Sequence, residues 1–187
     1  MEEIFAKGKR SIVYLLNSKI VKKAKPGSEG AIRDEISWLK KLNKYKIGPK
    51  LFSYTEDSVT MELVTGKRIL EWIPAASKKD VIKMLTKVLE QCRLLDKLKI
   101  SKEEMQNPYK HILISKKPIM IDFERCHYTE RPQNVTQFCQ FLTSLKVSQM
   151  LKEKGINSDK AIETLKHYKK DYSEKNYKLL VKAMLKY

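Results

Sequence analysis

Four short stretches of this sequence carry side chains able to handle phosphate and a hard metal ion. Ala6-Lys7-Gly8-Lys9-Arg10-Ser11-Ile12-Val13-Tyr14 sets one glycine among small and basic residues, just ahead of an apolar run. Small residues there let backbone N–H groups approach an anion, and Lys7, Lys9 and Arg10 add positive charge. In Lys19-Ile20-Val21-Lys22 the alternation of a strand puts Ile20 and Lys22 on one face and sends Lys23 to the other. Glu35 sits within an amphipathic run. Asp122 closes the apolar stretch Ile119-Met120-Ile121, and a carboxylate at a strand end beside phosphates suits Mg²⁺, which prefers oxygen ligands. Taken singly, the four could equally be a turn, a surface lysine, a helix glutamate and a turn aspartate.

The elements that must position them follow from periodicity. Ile12 to Leu16 and Lys19 to Val21, separated by Asn17-Ser18, read as a β-hairpin, with a further strand expected at Glu2 to Phe5. Pro26-Gly27 breaks the chain. From Ala31 to Leu42, Ile32, Ile36, Leu39 and Leu42 recur at helical spacing. Gly48-Pro49 ends that helix, and Leu51 to Tyr54 and Ser58 to Val64 read as two more strands. Beyond Gly66 the pattern turns helical. Ser77 with Asp80 resembles a capping box, opening a long helix with Val81, Met84, Leu85, Val88, Leu89, Cys92 and Leu95 on one face. Ile112 to Ile114 and Ile119 to Ile121 predict a second hairpin. Asn134 is placed to cap a helix carrying Val135, Phe138, Phe141, Leu142 and Leu145, and two Lys-rich helices follow. The expected class is α+β, with a β-rich part over residues 1–64 and an α-rich part over 65–187.

Bulk composition bounds the partners. Of 187 residues, 42% are hydrophobic, enough for a core and against disorder. Lys plus Arg is 39 against 22 Asp plus Glu, a net +17, which favours phosphate-rich partners such as nucleotide, RNA or a ribonucleoprotein, or else a solvated lysine surface. Cys92, Cys126 and Cys139 form no C-x-x-C pair and no disulfide framework. The polar N-terminus does not read as a signal peptide, and no apolar run reaches the roughly 20 residues of a membrane span. A cytoplasmic protein with no membrane partner is expected.

In this order the stretches resemble the protein-kinase signature set. Ala6 to Tyr14 has the spacing of G-x-G-x-x-G-x-V, with Ala6 and Ser11 at the outer glycines and only Gly8 kept. The resemblance implies that Lys22, or Lys23 one residue on, holds the α- and β-phosphates of ATP, and that Glu35 on the helix pairs with it. It implies Met61 as gatekeeper in Val59-Thr60-Met61-Glu62-Leu63-Val64, the backbone of Glu62 and Val64 on adenine, and Val13, Ile20 and Leu113 closing the adenine pocket. Asp122 in Asp122-Phe123-Glu124 takes the Mg²⁺-binding place of Asp-Phe-Gly, with Glu124 for the glycine. The catalytic loop departs from the pattern. Aligning His111-Ile112-Leu113-Ile114 with N-I-L-L puts His111 at the metal-binding Asn, Gln106 at the catalytic Asp and Glu104 at the first His. An amide is no general base, and imidazole suits Mn²⁺ better than Mg²⁺. Glu104, or Glu103, could supply a carboxylate instead, or positioning alone could suffice.

Glu103-Glu104-Met105, Pro108, Lys110-His111 and Ile121-Asp122-Phe123-Glu124-Arg125 further resemble small archaeal predicted serine/threonine protein kinases, near the RIO-type atypical kinases. That resemblance, over about residues 5 to 145, implies a minimal bilobal kinase fold and ATP-dependent transfer to Ser or Thr of a protein substrate, with autophosphorylation or ATPase activity as variants. Two alternatives stay open: a nucleotide-binding pseudokinase on a protein or RNA complex, and a small-molecule kinase. With only eight residues between Phe123 and Pro132, an activation loop is missing. Arg125 is open between a partner for Glu62 or Glu124 and a phosphate contact.

Overall fold

The computed structural model describes residues 3–158 and 161–185. The chain forms two compact units: residues 1–66 with 119–127, and residues 67–118 with 128–187.

The first unit is built on an antiparallel sheet of β1 (Glu3–Lys7), β2 (Ser11–Leu16), β3 (Lys19–Ala24), β4 (Leu51–Tyr54) and β5 (Ser58–Glu62), in the order β1-β2-β3-β5-β4. Glu2 lies outside the described residues. Leu16 faces Lys19 across the β2–β3 hairpin, so Asn17 and Ser18 are its whole loop. Asn17 takes φ 54°, the left-handed conformation that tight hairpin turns demand and that Asn tolerates. Helix α1 (Glu29–Leu42) buries Ile32, Glu35, Ile36, Trp38, Leu39 and Leu42. Glu35 is the one ionisable residue on that face. After α1 the chain reverses through Lys46 (φ 60°) and Gly48 (φ 80°). A Cβ on Gly48 would lie 2.8 Å from Phe123 Cε2 and 3.0 Å from Leu39 Cδ2, so only glycine fits there.

The second unit contains β6 (Lys67–Arg68), α2 (Ile69–Trp72), α3 (Lys78–Lys97), β7 (Ile100–Lys102) and β8 (Ile112–Ile114). Strands β9 (Pro118–Met120) and β10 (Cys126–Tyr128) flank the segment that joins the first unit, and α4 (Asn134–Thr143), α5 (Leu145–Glu153), α6 (Ala161–Lys170) and α7 (Glu174–Leu185) complete the chain. Ser77 caps α3, its hydroxyl accepting from the Asp80 N–H at 3.1 Å. Val81, Leu85, Val88, Leu89, Cys92 and Leu95 of α3 have no exposure. Burial of each Leu or Val of this kind contributes about 1.5–3 kcal/mol.

The start of α4 differs from expectation. Asn134 does not cap it. Asp96, at the end of α3, does, with its carboxylate accepting from the N–H groups of Asn134 (2.9 Å) and Val135 (3.3 Å). The Asn134 side chain, which also donates to Asp96 at 2.8 Å, holds a different segment. Its Oδ1 accepts from the Lys102 N–H at 2.9 Å, and its Nδ2 donates to the Ile100 carbonyl at 2.7 Å. Tyr168 of α6 donates to the same Asp96 at 3.1 Å and accepts from Arg93 at 3.0 Å. Leu145 lies not on α4 but at the start of α5, beyond the extended Ser144, so three helices rather than two follow α4 among the described residues. No helix among the described residues is long and apolar enough to cross a membrane.

Candidate active site

The first unit gathers four of its charged side chains at one point. Lys22 lies opposite Val13 on β2 and Val59 on β5, near the middle of the sheet. Its ammonium donates to Glu35 at 2.6 Å and to Asp122 at 3.0 Å, and stands 3.7 Å from Glu124. Glu35 is 2% exposed, and a buried carboxylate requires a counter-charge and hydrogen bonds. Lys22 supplies both, and the Phe123 N–H donates to the other oxygen at 3.4 Å. Burial pulls the Lys22 ammonium down, but the charges and hydrogen bonds of Glu35 and Asp122 outweigh it and hold Lys22 above the ordinary lysine value. Burial pushes Glu35 up from the usual carboxylate range, and Lys22 draws it part of the way back.

Asp122 takes φ 65°, a left-handed conformation that costs a non-glycine residue on the order of 1 kcal/mol. The turn is pinned from the next residue: the Phe123 ring is fully buried against the space that Gly48 leaves open. Glu124 reaches back to Arg10 at 3.1 Å, tying the Asp122 turn to the β1–β2 loop. That loop closes by a Gly8 N–H to Ser11 carbonyl bond of 2.9 Å, with Lys25 donating to the Gly8 carbonyl at 2.7 Å. A Cβ on Gly8 would come no nearer than 3.4 Å to any atom, so the loop geometry itself does not demand glycine there. Ser11 is buried.

Val13 and Ile20 are half-buried, and Ile20 pairs with buried Met61 across β3 and β5. Strand β5 ends at Glu62, two residues before Val64. The Glu62 N–H donates to the Lys50 carbonyl at 2.9 Å. Lys23 faces away from the cluster, its amine 5.2 Å from the centre of the Tyr14 ring.

Glu35, Asp122 and Glu124 each offer an oxygen, and the three oxygens lie within 4.8 Å of one another. Glu35 is committed to Lys22 and the Phe123 N–H. Asp122 and Glu124, 33% and 13% exposed, are hard oxygen donors of the kind Mg²⁺ takes, so the residues present fit that ion.

The remaining candidates belong to the second unit. Glu104 is buried and pairs at 2.9 Å with Lys102, whose side chain has no exposure. Gln106 is exposed. His111 follows a short 3-10 turn, its N–H bonding the Pro108 carbonyl at 2.9 Å, and Leu113 pairs with Arg68 across β6 and β8. Sequence reasoning missed the Lys102–Glu104 pair, although two oppositely charged residues two apart at a strand end were a visible signal. It also offered Arg125 as a partner for Glu124 and did not foresee Arg10 in that role. A cavity of about 640 Å³ between α3 and α7 of the second unit touches none of these residues.

A β-sheet carrying a lysine, a helix carrying its glutamate and a strand-end aspartate within the same cluster define a kinase-like fold, and comparison with solved structures agrees. The chain is similar to the Rio2 kinase from Chaetomium thermophilum, with a TM-score of 0.55 and 15% identity over 95% of this chain and 69% of that one. The sequence matches no protein-family model and no curated protein.

Proposed function

We propose that the chain is an atypical ATP-dependent serine/threonine protein kinase, cytoplasmic, with residues 1–64 as the small lobe and 65–187 as the larger one. The observation that carries this reading is the contact of Lys22 with both Glu35 and Asp122. In that arrangement Lys22 holds the α- and β-phosphates of ATP, and Glu35 fixes where the ammonium sits. Gly8 and Ser11 bring the β1–β2 loop over the phosphates. Val13, Ile20 and Met61 line the adenine, and the main chain of Glu62 and Val64 bonds its edge. Asp122, with Glu124 beside it, holds Mg²⁺, which when bound neutralises phosphate charge. His111 would favour Mn²⁺ as a second ion. Ser and Thr acceptors need little general-base help, because positioning dominates a loose phosphoryl transfer.

One observation favours a second reading, a nucleotide-binding module without transfer. Glu104, the carboxylate nearest the catalytic-loop position in sequence, is buried and held by Lys102, which leaves the amide Gln106 at the place of the usual base. The net charge of +17 supports a protein or RNA complex as partner in either reading.

Calorimetry of ATP binding with Mg²⁺ and with Mn²⁺, on wild type and Asp122→Asn, tests both, followed by label transfer on the same samples. Metal-dependent binding that Asp122→Asn abolishes, with label on protein, is the kinase outcome. Binding without transfer is the module outcome, and no binding refutes both.

A further inference from the structure

Within the second unit, a cleft of about 630 Å³ is lined by the amides Gln106, Asn107, Gln133, Gln137 and Gln140, with the hydroxyl of Ser144, the last four of these on and flanking α4. The four α4 positions fall at spacings of four, three and four residues, which is one face of a helix. Gln133 and Ser144 flank α4, so the stripe runs the full length of the helix. Among the described residues, Oε1 of Gln137 is buried with no hydrogen-bond partner. A buried acceptor of that kind costs about 1–3 kcal/mol unless something donates to it. The lining holds no carboxylate and a single cation, Lys146, in a chain of net charge +17. Leu70, Phe141 and Val147 give the cleft an apolar floor.

We propose that this cleft binds a neutral polypeptide segment in extended form, recognised through its main chain. Side-chain amides each offer a donor and an acceptor, which is what the alternating N–H and C=O groups of an extended chain require. From Gln133 to Ser144 a helix advances about 16 Å, the span of about five extended residues. A nucleobase would fill one end only, and one lysine cannot match a run of phosphates, so the lining disfavours nucleic acid. The apolar floor accepts one uncharged side chain. Binding stands without phosphoryl transfer. That the bound segment is the acceptor rests on the kinase reading, since Gln106 belongs to the loop aligned with the catalytic one.

The test is nuclear magnetic resonance on the full chain, following the side-chain NH₂ signals of the cleft glutamines and Asn107. The probes are capped seven-residue peptides of Gly, Ser, Thr and Val, matched peptides carrying three Lys or three Asp, and an oligo-uridine. No nucleotide is added, so failure of the kinase reading leaves the result unaffected. The neutral peptides are expected to shift these signals, with affinity changing less than twofold between 50 and 500 mM salt. Gln137→Leu and Gln140→Ala, each checked for an otherwise unchanged spectrum, are expected to weaken binding about tenfold, the loss of one hydrogen bond. Unmoved signals with the neutral peptides would overturn the proposal, as would preference for a charged peptide or oligo-uridine, or equal affinity in both variants.

Discussion

Lys22→Met is the most informative single change. It removes the cation paired with Glu35 and Asp122 from a point where oxygens of Glu35, Asp122 and Glu124 lie within 4.8 Å of one another. Asp122 is one-third exposed and can turn to water, but Glu35, at 2% exposed, cannot. Breaking a buried pair by deleting one partner costs about 3–5 kcal/mol, because the other charge stays in place without compensation. Glu35→Gln should cost much less, about 1–2 kcal/mol, since the amide oxygen still accepts from Lys22 and the ammonium keeps Asp122 at 3.0 Å. The asymmetry carries two corollaries. The Lys22→Met defect should be smaller at pH 5 than at pH 7, because burial raises Glu35 above its ordinary value and a protonated Glu35 needs no counter-charge, and adding Glu35→Gln to Lys22→Met should recover most of it. Urea denaturation of the four proteins at both pH values gives every number. Equal losses in the two single variants, or a Lys22→Met loss unchanged with pH, would refute the view that Lys22 neutralises a buried carboxylate.

Gly48→Ala should destabilise the first unit by about 2–4 kcal/mol, through the strain of φ 80° and the 2.8 Å approach of a Cβ to Phe123. Loss of ATP binding alongside would show that Phe123 sets the Asp122 turn, and a thermal melt together with calorimetry reads both. Burial pushes Asp96 above its ordinary 3.8, and its hydrogen bonds from Asn134, Tyr168 and Val135 pull it only partly back. Between those two values the folded chain keeps a proton that the unfolded chain has shed. Stability should therefore fall as pH rises through that window, by at most about 1.4 kcal/mol per unit. Asp96→Asn should flatten that slope in denaturation curves taken from pH 4 upwards, and an unchanged slope would assign it elsewhere.

Local pattern was enough to read the hairpin through Asn17-Ser18, helix α1 and the alternation that sends Lys22 and Lys23 to opposite faces, because periods of two and 3.6 residues are properties of neighbouring positions. Lys22, Glu35 and Asp122 could be picked out by type and order, but the distances between them could not. Those distances join residues 13 and 100 positions apart, and they arise because Glu35 falls on the buried face of α1 while Phe123 occupies the space above Gly48. The remaining contacts were invisible for the same reason. Asp96 caps α4 from 38 residues away, and Asn134 is a clamp on β7 rather than a cap. Glu124 finds Arg10 across 114 residues. The glutamines of α4 are an ordinary polar helix face until folding sets Gln106 and Asn107 in the same cleft. A sequence states which side chains a segment offers and on which face. Only the packing of segments distant in the chain decides which charge is buried beside which, and there the low dielectric makes a contact between ions worth keeping.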